Sequence, residues 1–313
     1  MPERHFPVRP NLEQLRHQAK DLLAEIRKGD ASAGSELQEF TTKKIEPGDA
    51  KLADAQFALA RSYGIPSWPR LVLACQMTDA IWRDDVDAVR KLVQKHPRLL
   101  HEMAQGREKS NWGPPMSYAA NLGRDKIIAA LYEAGATDLG TALARAALQG
   151  QVETARKLSA MTGGAPLPND ALGGPAYTLS ASGTALMFEL GARVRDSEGR
   201  RIAPVGVVLA TDSRNPAAKH QILEMYVQHG HELPDTPTMA VHRGRIDLLE
   251  EHLRRDPNLL SRTFSIEEIY PPEFGCHDEV LATHGTPLSG TTLLHMCVTT
   301  MKWRLRDGCL SEA

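Results

Sequence analysis

Tyr118-Ala119-Ala120-Asn121-Leu122-Gly123-Arg124-Asp125-Lys126-Ile127-Ile128, running on to Leu131, sets a small-residue stretch before a glycine and an amphipathic stretch after it. The phrase occurs first as Ala80-Ile81-Trp82-Arg83-Asp84 through Leu92. It returns as Ala146-Ala147-Leu148-Gln149-Gly150 through Leu158 and as Ala240-Val241-His242-Arg243-Gly244 through Leu253. Counted from the turn position, the fifth residue is Val89, Ile128, Ala155 and Leu249. The eighth is Leu92, Leu131 and Leu158, with His252 out of pattern. Apolar residues three apart share one helical face, which predicts a second helix packed on the first. The alanines let neighbouring helices approach closely, and Gly123, Gly150 and Gly244 suit a turn that needs positive φ. Asp84 stands where the other copies have glycine, and tolerates that conformation better than most side chains. Copies of this kind cannot bury their apolar faces alone and must stack.

These stretches, with Leu131-Tyr132-Glu133-Ala134-Gly135-Ala136, resemble the ankyrin repeat family. Late in the chain, Gly290-Thr291-Thr292-Leu293-Leu294-His295-Met296-Cys297 is similar to the family's Thr-x-Leu-His helix start. The resemblance implies that this Thr and His are held by local backbone hydrogen bonds. Only that copy carries the pair, and the turn positions 84, 123 and 150 are 39 and 27 residues apart. A regular unit has about 33, so the resemblance implies degenerate repeats. Two further units are expected between Gly150 and Gly244, one through Ala176 to Gly191-Ala192 and one through Ala203–Ala210 to Gly230.

The N-terminal part reads differently. Asn11 caps an amphipathic helix through Leu12, Leu15, Ala19, Leu22, Leu23 and Ile26, with Gly29 as its stop. A second helix is expected from Leu52 to Tyr63, ended by Gly64. Ser67 caps a third that begins Trp68-Pro69, with proline in the first turn. This segment resembles a helical leader that precedes ankyrin repeats in bacterial proteins, so a bacterial source is expected.

Composition fits thin stacked helices: aromatic residues are 5% and the net charge is −2 over 313 residues. That balance gives no electrostatic case for nucleic acid or an anionic membrane. No apolar run reaches the roughly 20 residues that span a bilayer. The start Met1-Pro2-Glu3-Arg4-His5 carries no signal-peptide stretch. Cys75, Cys276, Cys297 and Cys309 form neither a Cys-x-x-Cys nor a dense framework, so a cytoplasmic setting is expected.

Candidate sites are of two kinds. Trp112, in Asn111-Trp112-Gly113-Pro114, is placed as an interface anchor on the finger before a repeat helix, against packing between fingers as the plainer use. Tyr270 and Phe274, in the unusual stretch Phe264 to Pro287, mark a loop long enough to contact a partner. Tyr118 and Arg243 complete the binding set. The mixed run Arg193–Arg201 is read as a solvated finger tip.

The rival is a metal-dependent hydrolase of a small ester or lactone. Eight of the twelve histidines fall between His220 and His295. Cys276, His277, Asp278 and His284 would be its metal ligands, and His277, Asp278, His284 and His295 its catalytic groups. The spacing matches no metal motif, and His295 already has a structural role in the resemblance. Gly-x-Ser-x-Gly, the phosphate loop and His-Glu-x-x-His are all absent; the nearest miss, His231-Glu232, has Asp235 at the fourth position.

The tail after Val298 departs from a repeat. Back-translation of residues 301–313, read from the third nucleotide, permits EMEIARWLSERG, the helix the family would place here. A frameshift is the hypothesis, a divergent tail its rival, and the coding DNA separates them. An incomplete last unit would expose apolar surface for dimerisation.

The expected architecture is all-α: a helical segment over residues 1–77, then roughly six or seven degenerate ankyrin-like units over 78–313 in a solenoid. The expected function is a scaffold holding a protein partner through concave face and fingers, with no cofactor and no nucleic-acid or membrane partner.

Overall fold

The computed structural model describes residues 4–41, 44–211, 215–276 and 289–300. Its mass is helical: seventeen α-helices and one two-stranded ribbon among the described residues. None of these helices is long and apolar enough to cross a membrane. The chain divides into two compact units, residues 1–145 and 146–313.

In the first unit, α1 (Leu12–Arg27), α2 (Ala31–Phe40) and α3 (Leu52–Ser62) pack on one another. Asn11 Oδ1 accepts the N–H groups of Glu13 and Gln14, satisfying two of the donors that a helix start leaves open. Leu15, Ala19, Leu22 and Ile26 of α1 bury one face against Leu37, Leu59 and Ile65, each large side chain contributing about 1.5–3 kcal/mol. Gly29 and Gly64 end α1 and α3 at φ 79° and 72°. Ser67 caps α4 (Trp68–Trp82) through the N–H of Arg70. Then come α5 (Val86–Lys95), α6 (Pro115–Asn121) and α7 (Asp125–Glu133). α4 packs on α5 and α6, and α7 on α5 and α6.

The division between the units falls in α8 (Leu139–Leu148). The second unit continues with α9 (Val152–Met161), α10 (Gly173–Tyr177), α11 (Ala181–Glu189), α12 (Val205–Ala210) and α13 (Pro216–Gln228). It closes with α14 (Pro237–Arg243), α15 (Ile246–Arg255), α16 (Ile266–Ile269) and α17 (Leu293–Thr300). β1 (Thr263–Phe264) pairs antiparallel with β2 (Thr291–Thr292), Thr263 opposite Thr292.

Five helix-to-helix corners between Asp84 and Gly244 share one hydrogen-bond pattern, which also closes the α1–α2 and α3–α4 turns at Gly29 and Gly64. The turn residues Asp84, Gly123, Gly150, Leu179 and Gly244 all lie at φ between 51° and 69°. Each donates its N–H to a carbonyl three residues back, namely Ile81, Ala120, Ala147, Ala176 and Val241. The following residue donates to a carbonyl five back: Ala80, Ala119, Ala146, Pro175 and Ala240. This paired closure satisfies the last carbonyls of the first helix and aims the chain into the second. A second set, Gly135, Gly191 and Gly230 at φ 86–100°, ends α7, α11 and α13 with the same pair of bonds.

Over its described residues, 264–276, the stretch from Phe264 is not the open loop expected of it. Ser265 and Glu268 form a reciprocal capping box that starts α16, and a 3₁₀ turn follows at Pro272–Phe274. Ile269 and Tyr270 are buried. The apolar side chains tie the segment down, and the Ser-x-x-Glu signature was legible in the sequence. Residues 277–288 and 301–313, including the proposed frameshifted tail, lie outside the described residues.

Candidate interaction surfaces

On the first unit, Trp112 lies half-buried in the segment that leads into α6. Its ring rests on Tyr118 at 5.1 Å between centroids, and the Arg145 guanidinium stands over the ring, 5.6 Å from its centroid. Arg145 Nε donates to Asn121 Oδ1 at 2.8 Å, and Asn121 Nδ2 donates to the carbonyl of Ser117 at 2.9 Å. The indole thus touches an aromatic and a cation and stays partly exposed.

Tyr118 is wholly buried. Its hydroxyl donates to the carbonyl of Val8 at 2.6 Å and accepts from Trp82 Nε1 at 2.8 Å. Burial pushes its pKa up to about 12. A side chain so placed supports Trp112 from beneath and has no surface to offer, which corrects its assignment as a contact residue.

On the second unit, a cleft of about 650 Å³ lies among α11, α13 and the α14–α15 corner. Ala181, Ala185 and Met225 give it an apolar side; His220, Gln221, Glu224, Arg243 and Arg245 give it a polar one. Arg243 grips Glu224 with two bonds, Nε to Oε1 at 2.6 Å and Nη2 to Oε2 at 3.2 Å. Arg245 reaches the same carboxylate with Nη1 at 3.3 Å and forks onto Asp247 with Nε and Nη2. That contact holds the Asp247 carboxyl down at about 2. Such forked pairs fix the guanidinium planes where they line the cleft, the Arg243 side chain being only 11% exposed. Nothing local in the sequence marks Glu224 as the partner, because 19 residues separate it from Arg243.

Tyr270 is buried against His242, ring centroids 5.5 Å apart, and burial raises its hydroxyl pKa. It too is a packing residue, which corrects the expectation of a contact. Phe274 stays partly exposed, with its ring 5.9 Å from that of His231.

Of the hydrolase set, His277, Asp278 and His284 lie outside the described residues. His295 is engaged by Thr292: Oγ1 lies 2.9 Å from His295 Nδ1 and accepts its backbone N–H at 3.4 Å. Cys276 is partly buried, and desolvation pushes its thiol up to about 11. Among the described residues no three His, Cys, Asp or Glu side chains are grouped to hold a metal ion.

No protein-family model and no curated protein sequence matches the chain.

Proposed function

We propose that this chain is a degenerate ankyrin-type repeat protein whose task is to hold a protein partner. The observation that carries the reading is the coincidence of the recurring sequence phrase with one corner, a left-handed position closed by the same two hydrogen bonds, at Asp84, Gly123, Gly150 and Gly244. A chain that repeats one supersecondary unit presents a series of similar surfaces, and that is the usual basis of binding by repeat scaffolds. The Thr292–His295 bonding supports the family reading at the last unit. Within it, Trp112, Arg243 and Phe274 are the side chains that combine a fixed position with partial exposure. Cys75 and Cys276, which form no disulfide among the described residues, suit a reducing cytoplasmic setting.

The test is affinity capture with the immobilised chain, followed by titration of the retained protein against purified native chain and the variants Trp112→Ala and Arg243→Ala. The expected result is a saturable protein complex weakened by about 1–2 kcal/mol or more in at least one variant. Retention of no protein, together with chelator-sensitive turnover of a small ester, would sink the reading.

A further inference from the structure

Two clefts on the first unit adjoin along one face of α4. One, about 600 Å³, is lined by Arg9, Leu12, Glu13, Arg16, Gln76 and Asp79 among others. The next, about 420 Å³, shares Gln76 and Asp79 and runs on past Arg83, Ala88, Lys91, Leu92 and Lys95. Gln76, Asp79 and Arg83 recur at helical spacing on α4, as Ala88, Lys91 or Leu92, and Lys95 do on α5, so the second cleft is a groove between two helices. Seven residues of helix give it a length of about 10 Å, room for three or four residues of extended chain, and the first cleft prolongs it.

The groove is basic in a chain whose net charge is −2. Five cations line it, Arg9, Arg16, Arg83, Lys91 and Lys95, against two carboxylates, Glu13 and Asp79. Asp79 is already neutralised between Arg9 at 2.9 Å and Arg83 at 3.0 Å. Arg16, Lys91 and Lys95 form no ion pair among the described residues. At the α4–α5 corner Asp85 pairs with Arg83 at 3.7 Å, while Asp84 and Asp87 line neither cleft. The floor is aliphatic, with Ala80 buried and Ala88 and Leu92 half-buried.

The geometry points to an acidic segment of a protein partner, extended in this groove, with carboxylates toward Arg16, Lys91 and Lys95 and one aliphatic side chain on Leu92. An aliphatic floor favours a peptide over single-stranded nucleic acid, whose bases seek aromatic platforms to stack on. Like-charged walls also speed the approach of an oppositely charged partner. This inference rests on the protein-binding reading and names the chemistry of one contact.

The test uses fluorescence polarisation with a fluorescein-labelled EEDLEE peptide, the full chain, and two variants with exposed substitutions on separate helices: Arg16→Glu, and the double change Lys91→Glu with Lys95→Glu. The expected result is saturable binding, weakened about tenfold or more by the double change and less by Arg16→Glu, with thermal unfolding unaltered. A KKKLKK peptide should not bind. Failure of the native chain to bind EEDLEE, binding that neither variant weakens, or preferential binding of oligo-uridine would each overturn the assignment. Continued capture of a protein partner by both variants would then leave the scaffold reading standing without this groove.

Discussion

Asp84 and Gly123 occupy the same left-handed position, at φ 57° and 65°, in corners closed by the same pair of backbone hydrogen bonds. A Cβ in this region costs about 1–2 kcal/mol, less for Asp, whose short polar side chain can bond locally. Asp84→Gly is therefore expected to change stability by less than about 1 kcal/mol in either direction, with the glycine's unfolded-state entropy opposing the relief of strain. Gly123→Ala should cost about 1 kcal/mol or more. Urea denaturation of the two variants decides this, and equal losses from both would contradict the shared geometry.

Leu179 holds the equivalent position at φ 51° with its side chain buried. Here strain and burial pull in opposite directions. Burial of a leucine contributes about 1.5–3 kcal/mol, more than the strain it carries, so Leu179→Gly is expected to destabilise where Asp84→Gly does not. A Leu179→Gly variant that melts above the native chain would reverse that ranking.

The contrast between these residues also explains what the sequence made legible. Gly123, Gly150 and Gly244 announce their corners because glycine alone enters the left-handed region freely. Leu179 announces nothing, since its retention depends on what surrounds it in the folded state. Asn11 and Ser67 marked their helix starts because a cap is a local contact. Tyr118 and Tyr270 were read as surface aromatics and are interior ones, and composition carries no sign of which way an aromatic faces. Arg243 was singled out without its partner, because the Glu224 pairing is made across two helices.

Two glycines are set by close approach rather than by φ. A Cβ on Gly206 would lie 2.3 Å from the Phe274 carbonyl oxygen, and one on Gly183 would lie 2.1 Å from that of Ala147. In both cases the obstacle is backbone, so Gly206→Ala and Gly183→Ala are each expected to cost about 1–3 kcal/mol. Gly34, inside α2 with nothing within 4 Å of a Cβ, supplies the control. Gly34→Ala should raise stability by about 0.5–1 kcal/mol through helix propensity. Thermal shifts of the same sign for all three would refute the distinction.

The Tyr118 hydroxyl joins α6 to the N-terminal segment at Val8 and to α4 at Trp82. Tyr118→Phe keeps the ring beneath Trp112 but leaves a carbonyl and an indole N–H without their partner, at a cost of about 1–3 kcal/mol. Hydrogen exchange should rise in residues 4–10 with little change in the second unit. Unchanged exchange there would mean that packing alone holds the segment.

His231 and His242 are both buried, and burial lowers the pKa of each below the ordinary 6.5, with Arg201 and Arg195 adding to the effect at His231 and Lys219 and His220 at His242. The unfolded chain binds protons at these sites below about pH 6.5 while the folded chain does not. Their neutral burial is therefore without penalty above that pH, and stability is lost progressively as pH falls from 6.5 toward the lowered folded values. The two residues differ in what they give in return. His242 Nε2 bonds the Ile269 carbonyl at 2.8 Å, whereas neither ring nitrogen of His231 has a hydrogen-bond partner. His231 lies among Tyr226 and Phe274, so His231→Phe replaces two unsatisfied polar atoms with apolar surface of similar shape. That variant is expected to be at least as stable as the native chain at neutral pH and to lose less stability between pH 6.5 and 5. Urea midpoints at both pH values test it; a variant as acid-sensitive as the native chain would transfer the whole effect to His242 and other groups.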